Sequence, residues 1–250
     1  MIAQSTSIQS GICIWPISCS EIAWSSLAVG FDNTWDDIFR SRTWGRYPSE
    51  DVIRFMARRF FSVHDRKQVH ILDLGCGGGA NTWFLAREGF TVTAIDGSAA
   101  AVAQTRDLLK KEGCAADVSV CPFLDLSFPG AAFDAVLDCA SIQHNPWDDV
   151  VSIHRNVLRM LKPSGWFFGF MLNDQSSRPS ETAGIGNDCR RFRAGSLENP
   201  VFVHLFSRAE LTQLLTNYGA NSVETLERTE GAGTSRLAYF LVAAQKPPAC

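Results

Sequence analysis

A chain of 250 residues, 46% of them hydrophobic, can bury one substantial core together with a small cap or insertion. Its net charge of −3 gives no general attraction to nucleic acid or to an anionic membrane surface. No run approaches the roughly 18 apolar residues that a membrane-spanning helix needs. The eight cysteines (Cys13, Cys19, Cys76, Cys114, Cys121, Cys139, Cys189 and Cys250) are scattered, without a C-x-x-C pair or zinc-ligand spacing. That usage suits a reducing cytoplasm and predicts neither a disulfide scaffold nor a metal site.

Residues 1–31 are apolar, rich in serine and cysteine, and carry no Lys or Arg in the first ten positions. They lack the basic start of a secretory signal and are expected to form a poorly ordered extension. Residues 32–66 are expected to form a helical lid. The stretch 35–47, WDDIFRSRTWGRY, mixes aromatics with acids and arginines and stops at Pro48. Ser49 is a plausible N-cap, with Glu50 and Asp51 in the first turn where the helix dipole favours them. Val52, Ile53, Met56 and Phe60 then supply an apolar face, with Arg54, Arg58 and Arg59 mostly opposite. Arg46, in a turn beside Trp44 and Gly45, is the arginine best placed to meet an anionic group.

The main domain is expected over 67–247. Residues 69–74 read as a buried strand with Asp73 set inside it, and the turn Gly75, Cys76, Gly77, Gly78, Gly79 follows directly. A helix from Asn81 closes at Gly89, and the β-branched run 91–95 ends at Asp96. Ser98 caps a helix that stops at Gly113. Strands are expected over 117–121, 133–140 and 166–172, with a helix over 147–161 broken by Pro163, Ser164 and Gly165. Such alternation means a parallel sheet with helices on both faces. Residues 173–204 are polar and without a clear period, about thirty residues of loop or insertion. Ser207 and Glu210 make a capping box for a helix to Tyr218, and strands over 223–226 and 236–244 close the chain.

The strand, glycine turn, helix and acid-ended strand over 69–98 form half of a nucleotide-binding βαβ unit. Gly75, Gly77 and Ala80 satisfy G-x-G-x-x-A, so an NAD-dependent oxidoreductase is one reading. Asp96 fits any ribose-bearing cofactor. Asp73 tilts the choice, because a charge inside a buried strand is costly unless it faces a partner. A cationic amino group on a ligand would be such a partner, and NAD offers none there.

Four motifs in order carry a resemblance: LDLGCGGG, AIDGS, FDAVLDCASIQHNP and LKPSGWFF. Over 69–246 the chain resembles a class I S-adenosylmethionine-dependent methyltransferase. The resemblance implies a Rossmann-like three-layer α/β sandwich, with a seven-stranded, mostly parallel sheet whose last strand is antiparallel. It implies S-adenosylmethionine as cofactor and the segment 173–206 as an insertion. The implied cofactor site comprises Asp73, Gly75, Cys76, Gly77, Gly79, Asp96, Gly97, Ser98, Asp125, Leu126, Asp138 and Cys139, with Trp44 and Arg46 from the lid; Asp125 would meet the adenine amino group. His144, just beyond the fourth strand, is the candidate general base. His154 falls on an apolar helix face and reads as core. Arg190, Arg191 and Arg193 are candidates to grip an acidic substrate. The expected product is a cytoplasmic methyltransferase acting on oxygen or nitrogen of a small molecule, a sugar or secondary metabolite being favoured. An RNA or protein methyltransferase is the rival within the class. Neither a nucleic acid nor a membrane is expected as partner, and oligomeric state is open.

Overall fold

The computed structural model describes residues 31–177, 184–185, 188–192, 201–230 and 235–249. The expected extension over 1–31 lies, apart from Phe31, outside them. Helices α1 (Thr34–Ser41) and α2 (Glu50–Phe60) lead into an alternating series: β1 (His70–Leu74), α3 (Ala80–Arg87), β2 (Thr91–Asp96), α4 (Ala99–Glu112), β3 (Asp117–Val120), β4 (Phe133–Cys139), α5 (Trp147–Met160) and β5 (Leu161–Leu172). The chain continues through β6 (Gly184–Ile185), β7 (Asp188–Phe192), β8 (Val201–His204), α6 (Arg208–Leu215), β9 (Ala220–Glu230) and β10 (Ser235–Gln245).

The main sheet runs in the order β3-β2-β1-β4-β5-β10-β9. Strands β1 to β5 are mutually parallel, and β10 is antiparallel to both neighbours. This is the Rossmann-like sheet expected, with the antiparallel strand inserted beside β5. The helix signals act as read. Ser49 and Ser98 side chains accept from Val52 and Ala101 N–H, Gly113 ends α4 in the left-handed region at φ 64°, and Ser207 with Glu210 completes the capping box.

Strand alternation splits the core between the two faces of the sheet. Leu72, Leu74, Val136 and Phe167 pack with Val150, Ile153 and Val157 of α5 and with Leu211 and Leu214 of α6. Ile71, Ala135, Leu137 and Phe168 pack with Val52, Phe55 and Met56 of α2, Trp83 and Phe84 of α3, and Val102 and Leu109 of α4. Within the expected lid, α2 is therefore part of the core, and its pattern alone did not distinguish core from cover. Helix α1 instead places Ile38 in a third cluster with Leu172, Val201, Val203 and Leu205.

The stretch beyond β5 corrects the expectation of an irregular loop. β6, β7 and β8 form a small antiparallel sheet, tied to the main body by a bridge between Asn173 and Phe206. Its strands have two, five and four residues; runs that short, with charges in β7, present little periodicity to read. Arg190 and Arg191 lie in β7, and Arg193 lies outside the described residues.

Candidate functional site

Strand β1 sits between β2 and β4, so the connections leaving its carboxyl end and that of β4 part to opposite sides. A crevice opens there in doubly wound sheets. It holds a cavity of about 360 Å³, whose floor is the Gly75, Cys76, Gly77, Gly78 turn. Asp96, Gly97 and Phe123 form one side; residues 139–141 and 143–145 form another. Trp35, Phe39 and Trp44 cover it, and Leu172, Val203 and Tyr239 close the far end.

The turn needs its glycines for space and for backbone conformation. Gly75 has φ 78°, and a Cβ there would come within 2.2 Å of Ser141 Oγ. Gly77 has φ 53°, and its N–H donates to one oxygen of Asp96 at 2.9 Å. Ser98 N–H donates to the other oxygen at 2.8 Å. Burial raises the pKa of Asp96, while the N–H groups of Ser98 and Gly77 oppose the rise. A carboxylate has about four lone-pair sites, so the two used here leave acceptor capacity for a pair of ribose hydroxyls.

Asp73 and Asp138 lie behind this surface rather than in it, each with no exposed area. Thr82 Oγ1 donates to Asp73 at 2.5 Å, and burial pushes that carboxyl up to about 6. Asp138 accepts from Ser141 N and Ile142 N at 2.8 and 3.1 Å and is pushed up to about 7, again by burial first. Each keeps one oxygen without a hydrogen-bond partner among the described residues. With Asp96, they give the crevice floor a negative character, and none of the described lining residues is Lys or Arg. A sulfonium bearing an amino group fits that floor and the aromatic cover; a diphosphate does not. The residues present therefore suit S-adenosylmethionine, with Asp96 and the glycine turn holding it, and disfavour NAD.

Several expected cofactor residues fall elsewhere. Arg46 pairs with Glu112 of α4 at 2.6 Å and lies over the Trp83 ring, drawn outward by the opposing charge at that helix end. Asp125 is exposed and Leu126 is core; their short helical turn offers Phe123 to the cavity instead. Gly79 has φ 88° where α3 starts, and a Cβ would press on Thr105. Ser98 caps α4 and donates its hydroxyl to Asp36 at 2.7 Å. These positions build the site without lining it. Trp44, Gly75, Cys76, Gly77, Asp96, Gly97 and Cys139 do line it.

His144 is held within the cavity wall. Its Nδ1 lies 2.7 Å from the carbonyl oxygen of Phe202 in β8. A carbonyl only accepts, so in the neutral ring Nδ1 carries the hydrogen and Nε2 the lone pair. Burial lowers the pKa to about 4, although the Phe202 and Ala140 carbonyls and Asp32 favour the cation. Trp35 meets the imidazole edge-on, with centroids 4.5 Å apart at 62°. The neighbouring Gln143 accepts from Leu172 N at 2.9 Å, which fixes the loop to the end of β5.

Trp35, Phe39, Phe123, Gln143, Leu172, Val203 and Tyr239 were not singled out as site residues from the sequence. A four-residue spacing of Trp35 and Phe39 on a short helix was the one available signal. His154 is buried as expected, against Phe167 in the core. Among the described residues, no group of His, Cys, Asp or Glu is arranged for a metal, and no helix is long and apolar enough to cross a membrane.

Sheet, crevice and acid-ended second strand define an α/β domain built to hold a ribose-bearing cofactor. Comparison with known proteins narrows this. Residues 71–165 match the family model described as a methyltransferase domain. A ubiquinone biosynthesis O-methyltransferase of Paramagnetospirillum magneticum is 35% identical over 129 residues, 48% of this chain and 51% of that protein. The chain spans about half the length of the curated relatives it matches. Among solved structures, a SAM-dependent methyltransferase from Methanosarcina mazei superposes with a TM-score of 0.56 at 23% identity, covering 72% of this chain and 93% of that one. The 1,6-didemethyltoxoflavin-N1-methyltransferase of Burkholderia thailandensis, solved with its substrate and S-adenosylhomocysteine, gives 0.52 at 19% identity over 79% and 81%. Residues 71–165 thus match a methyltransferase domain, and the fold is one shared with S-adenosylmethionine-dependent methyltransferases.

Proposed function

We propose that this protein transfers the methyl group of S-adenosylmethionine to a hydroxyl of a small molecule, with His144 as general base. The observation that carries this is the single cavity shared by Asp96, the glycine turn and an imidazole whose Nε2 lone pair is set by the Phe202 carbonyl. The cofactor would bring a methyl group on a positively charged sulfur. Asp96 and the turn hold its ribose, and the aromatic cover of Trp35, Phe39 and Trp44 excludes water and suits the cation. His144 takes the proton of the acceptor within hydrogen-bond reach. The curated O-methyltransferase relatives support oxygen over nitrogen as acceptor. In this reading α1 and the turn after it are the lid, the end of the cavity bearing Leu172, Val203 and Tyr239 is the acceptor side, and a cytoplasmic location suits the free cysteines Cys76, Cys114, Cys121 and Cys139.

Calorimetry on the full chain with S-adenosylmethionine and with NAD tests the cofactor assignment. The expected result is binding of the first alone, weakened about tenfold or more by Asp96→Ala, since a hydrogen bond to a charged group contributes about 1.5–3 kcal/mol. Binding of NAD without S-adenosylmethionine would overturn it. An RNA or protein methyltransferase would instead consume a macromolecular acceptor in extract, with labelled methyl appearing in that fraction.

A further inference from the structure

We infer that the outer edge of β9 is a self-complementary docking surface, on which a second copy of this chain lays its own β9, antiparallel and centred on Leu226. The inference is independent of the methyl-transfer reading.

Strand β9 ends the main sheet, with β10 on one side and no strand on the other among the described residues. It spans eleven residues, Ala220–Glu230, paired with β10 in an unbroken register. Seven of residues 221–229 are exposed, and Val223 and Leu226 are half-buried. A strand of that length presents a row of N–H and C=O groups that a further strand can take up. The opposite edge is built differently: β3 has four residues, and a short edge strand is one way in which a sheet avoids such pairing.

Charges on an edge strand ordinarily deter association; those of β9 select one register for it. Antiparallel strands form a ladder only where residues whose N–H and C=O groups point outward meet residues of the same kind. A strand paired with its own copy is therefore centred on a residue, not between two. Centred on Leu226, the copies overlap over residues 222–230 and make roughly eight to ten main-chain hydrogen bonds. Glu224 of each copy then faces Arg228 of the other, twice by symmetry, and Leu226 meets its own copy between the two ion pairs. Centring on Glu224, Glu227 or Arg228 sets that residue against its own charge, and centring on Thr225 makes no ion pair. Glu224, Leu226 and Arg228 share one face, as the register partners of Leu241, Tyr239 and Leu237. Arg54 of α2 approaches Glu224 within the chain, but Glu50 holds it. Glu227 points to the opposite face and pairs with Arg236 of its own chain.

The test is sedimentation velocity on the full chain from about 1 to 100 μM. The unaltered protein should pass from monomer to dimer in that range, and less readily at high salt, because the ion pairs are exposed. Glu224→Arg and Arg228→Glu should each weaken the dimer about tenfold or more by setting like charges together twice, and the two combined should restore it. Both positions are exposed, and circular dichroism checks that each variant is folded. Leu226→Cys gives a second readout. Opposite Cα atoms in an antiparallel pair lie about 4.5–5.5 Å apart, within disulfide range, so mild oxidation should yield a 226–226 crosslink by peptide mass spectrometry. A monomer throughout the range would overturn the proposal. So would a dimer indifferent to both single reversals, a combined variant that does not recover, or a dimer without the 226–226 crosslink.

Discussion

At the residue scale, charge and burial decide what each histidine can do. His144 keeps a lone pair because a carbonyl 58 positions away takes the hydrogen of its other nitrogen. That pairing depends on β8 folding back over the crevice, so no local pattern around SIQHNP could reveal it. His154 differs: both ring nitrogens are buried without a hydrogen-bond partner among the described residues, and burial lowers its pKa to about 4. Its place on an apolar helical period was legible, as was the place of Asp96 at a strand end. The pairing of Arg46 with Glu112 was equally out of reach, since the two are remote in sequence. His154 has a pH signature. A folded-state value below the unfolded 6.5 means that the unfolded chain takes up the proton first, so stability falls as pH drops from about 6.5 towards 4. For this group alone the cost at pH 5 is about 2 kcal/mol. His154→Leu should therefore gain about that much more stability at pH 5 than at pH 8 in urea unfolding. An identical gain at both pH values would show that His154 is not held neutral.

The two N-terminal helices, indistinct in the sequence, separate at the scale of elements. Both are amphipathic, and only the sheet decides which is core. Phe55 of α2 stacks on Phe168 of β5, with ring centres 4.5 Å apart at 17°. Helix α1 is latched from its polar side. Asp36 accepts from Ser98 Oγ and Ala100 N at 2.7 and 2.9 Å, and Gln104 Nε2 donates to the carbonyls of Phe39 and Arg42. Phe55→Ala should cost about 3–5 kcal/mol of global stability in denaturant. Asp36→Ala removes a cap from α4 and should cost about 1 kcal/mol. It should also open α1 to trypsin at Arg40 and Arg42 while the rest of the domain resists. Resistance equal to that of the unaltered protein would mean that the latch does not hold the lid. Although β9 is longer and more polar than the 223–226 read, and β5 begins at Leu161, ahead of the turn expected at 163–165, most strands of the main sheet were readable as apolar runs bounded by turn or cap signals. The small β6-β7-β8 sheet was not, since it draws its stability from packing Val201 and Val203 against Ile38 and Leu172.

Across the whole molecule, the sheet order places three buried acids from adjacent strands at one crevice: Asp73 on β1, Asp96 on β2 and Asp138 on β4. The overall charge of −3 gives no hint of this concentration, because it arises only when residues more than twenty positions apart become neighbours. Asp73 and Asp138 titrate around 6 and 7, as burial disfavours their charged forms. Their folded values exceed the unfolded 3.8, so keeping them ionised above pH 7 opposes folding, and a bound cation would offset that cost. Donor affinity should then depend on pH in a way that tracks the charge on sulfur. Lowering the pH from 8 to 5.5 protonates both acids and removes attraction for a sulfonium, while His144, near 4, stays neutral throughout. Each charge lost at about 8–12 Å with an effective dielectric near 20 changes the interaction by about 1–2 kcal/mol, so the two acids together change it by about 2–4 kcal/mol. S-adenosylmethionine should therefore bind more weakly at pH 5.5, by about thirtyfold or more. S-adenosylhomocysteine has the same ribose, adenine and amino acid but a neutral sulfur, so its affinity should fall much less. The ratio of the two dissociation constants, measured by calorimetry at each pH, isolates the term; a ratio constant from pH 8 to 5.5 would mean that the buried acids do not sense the sulfur.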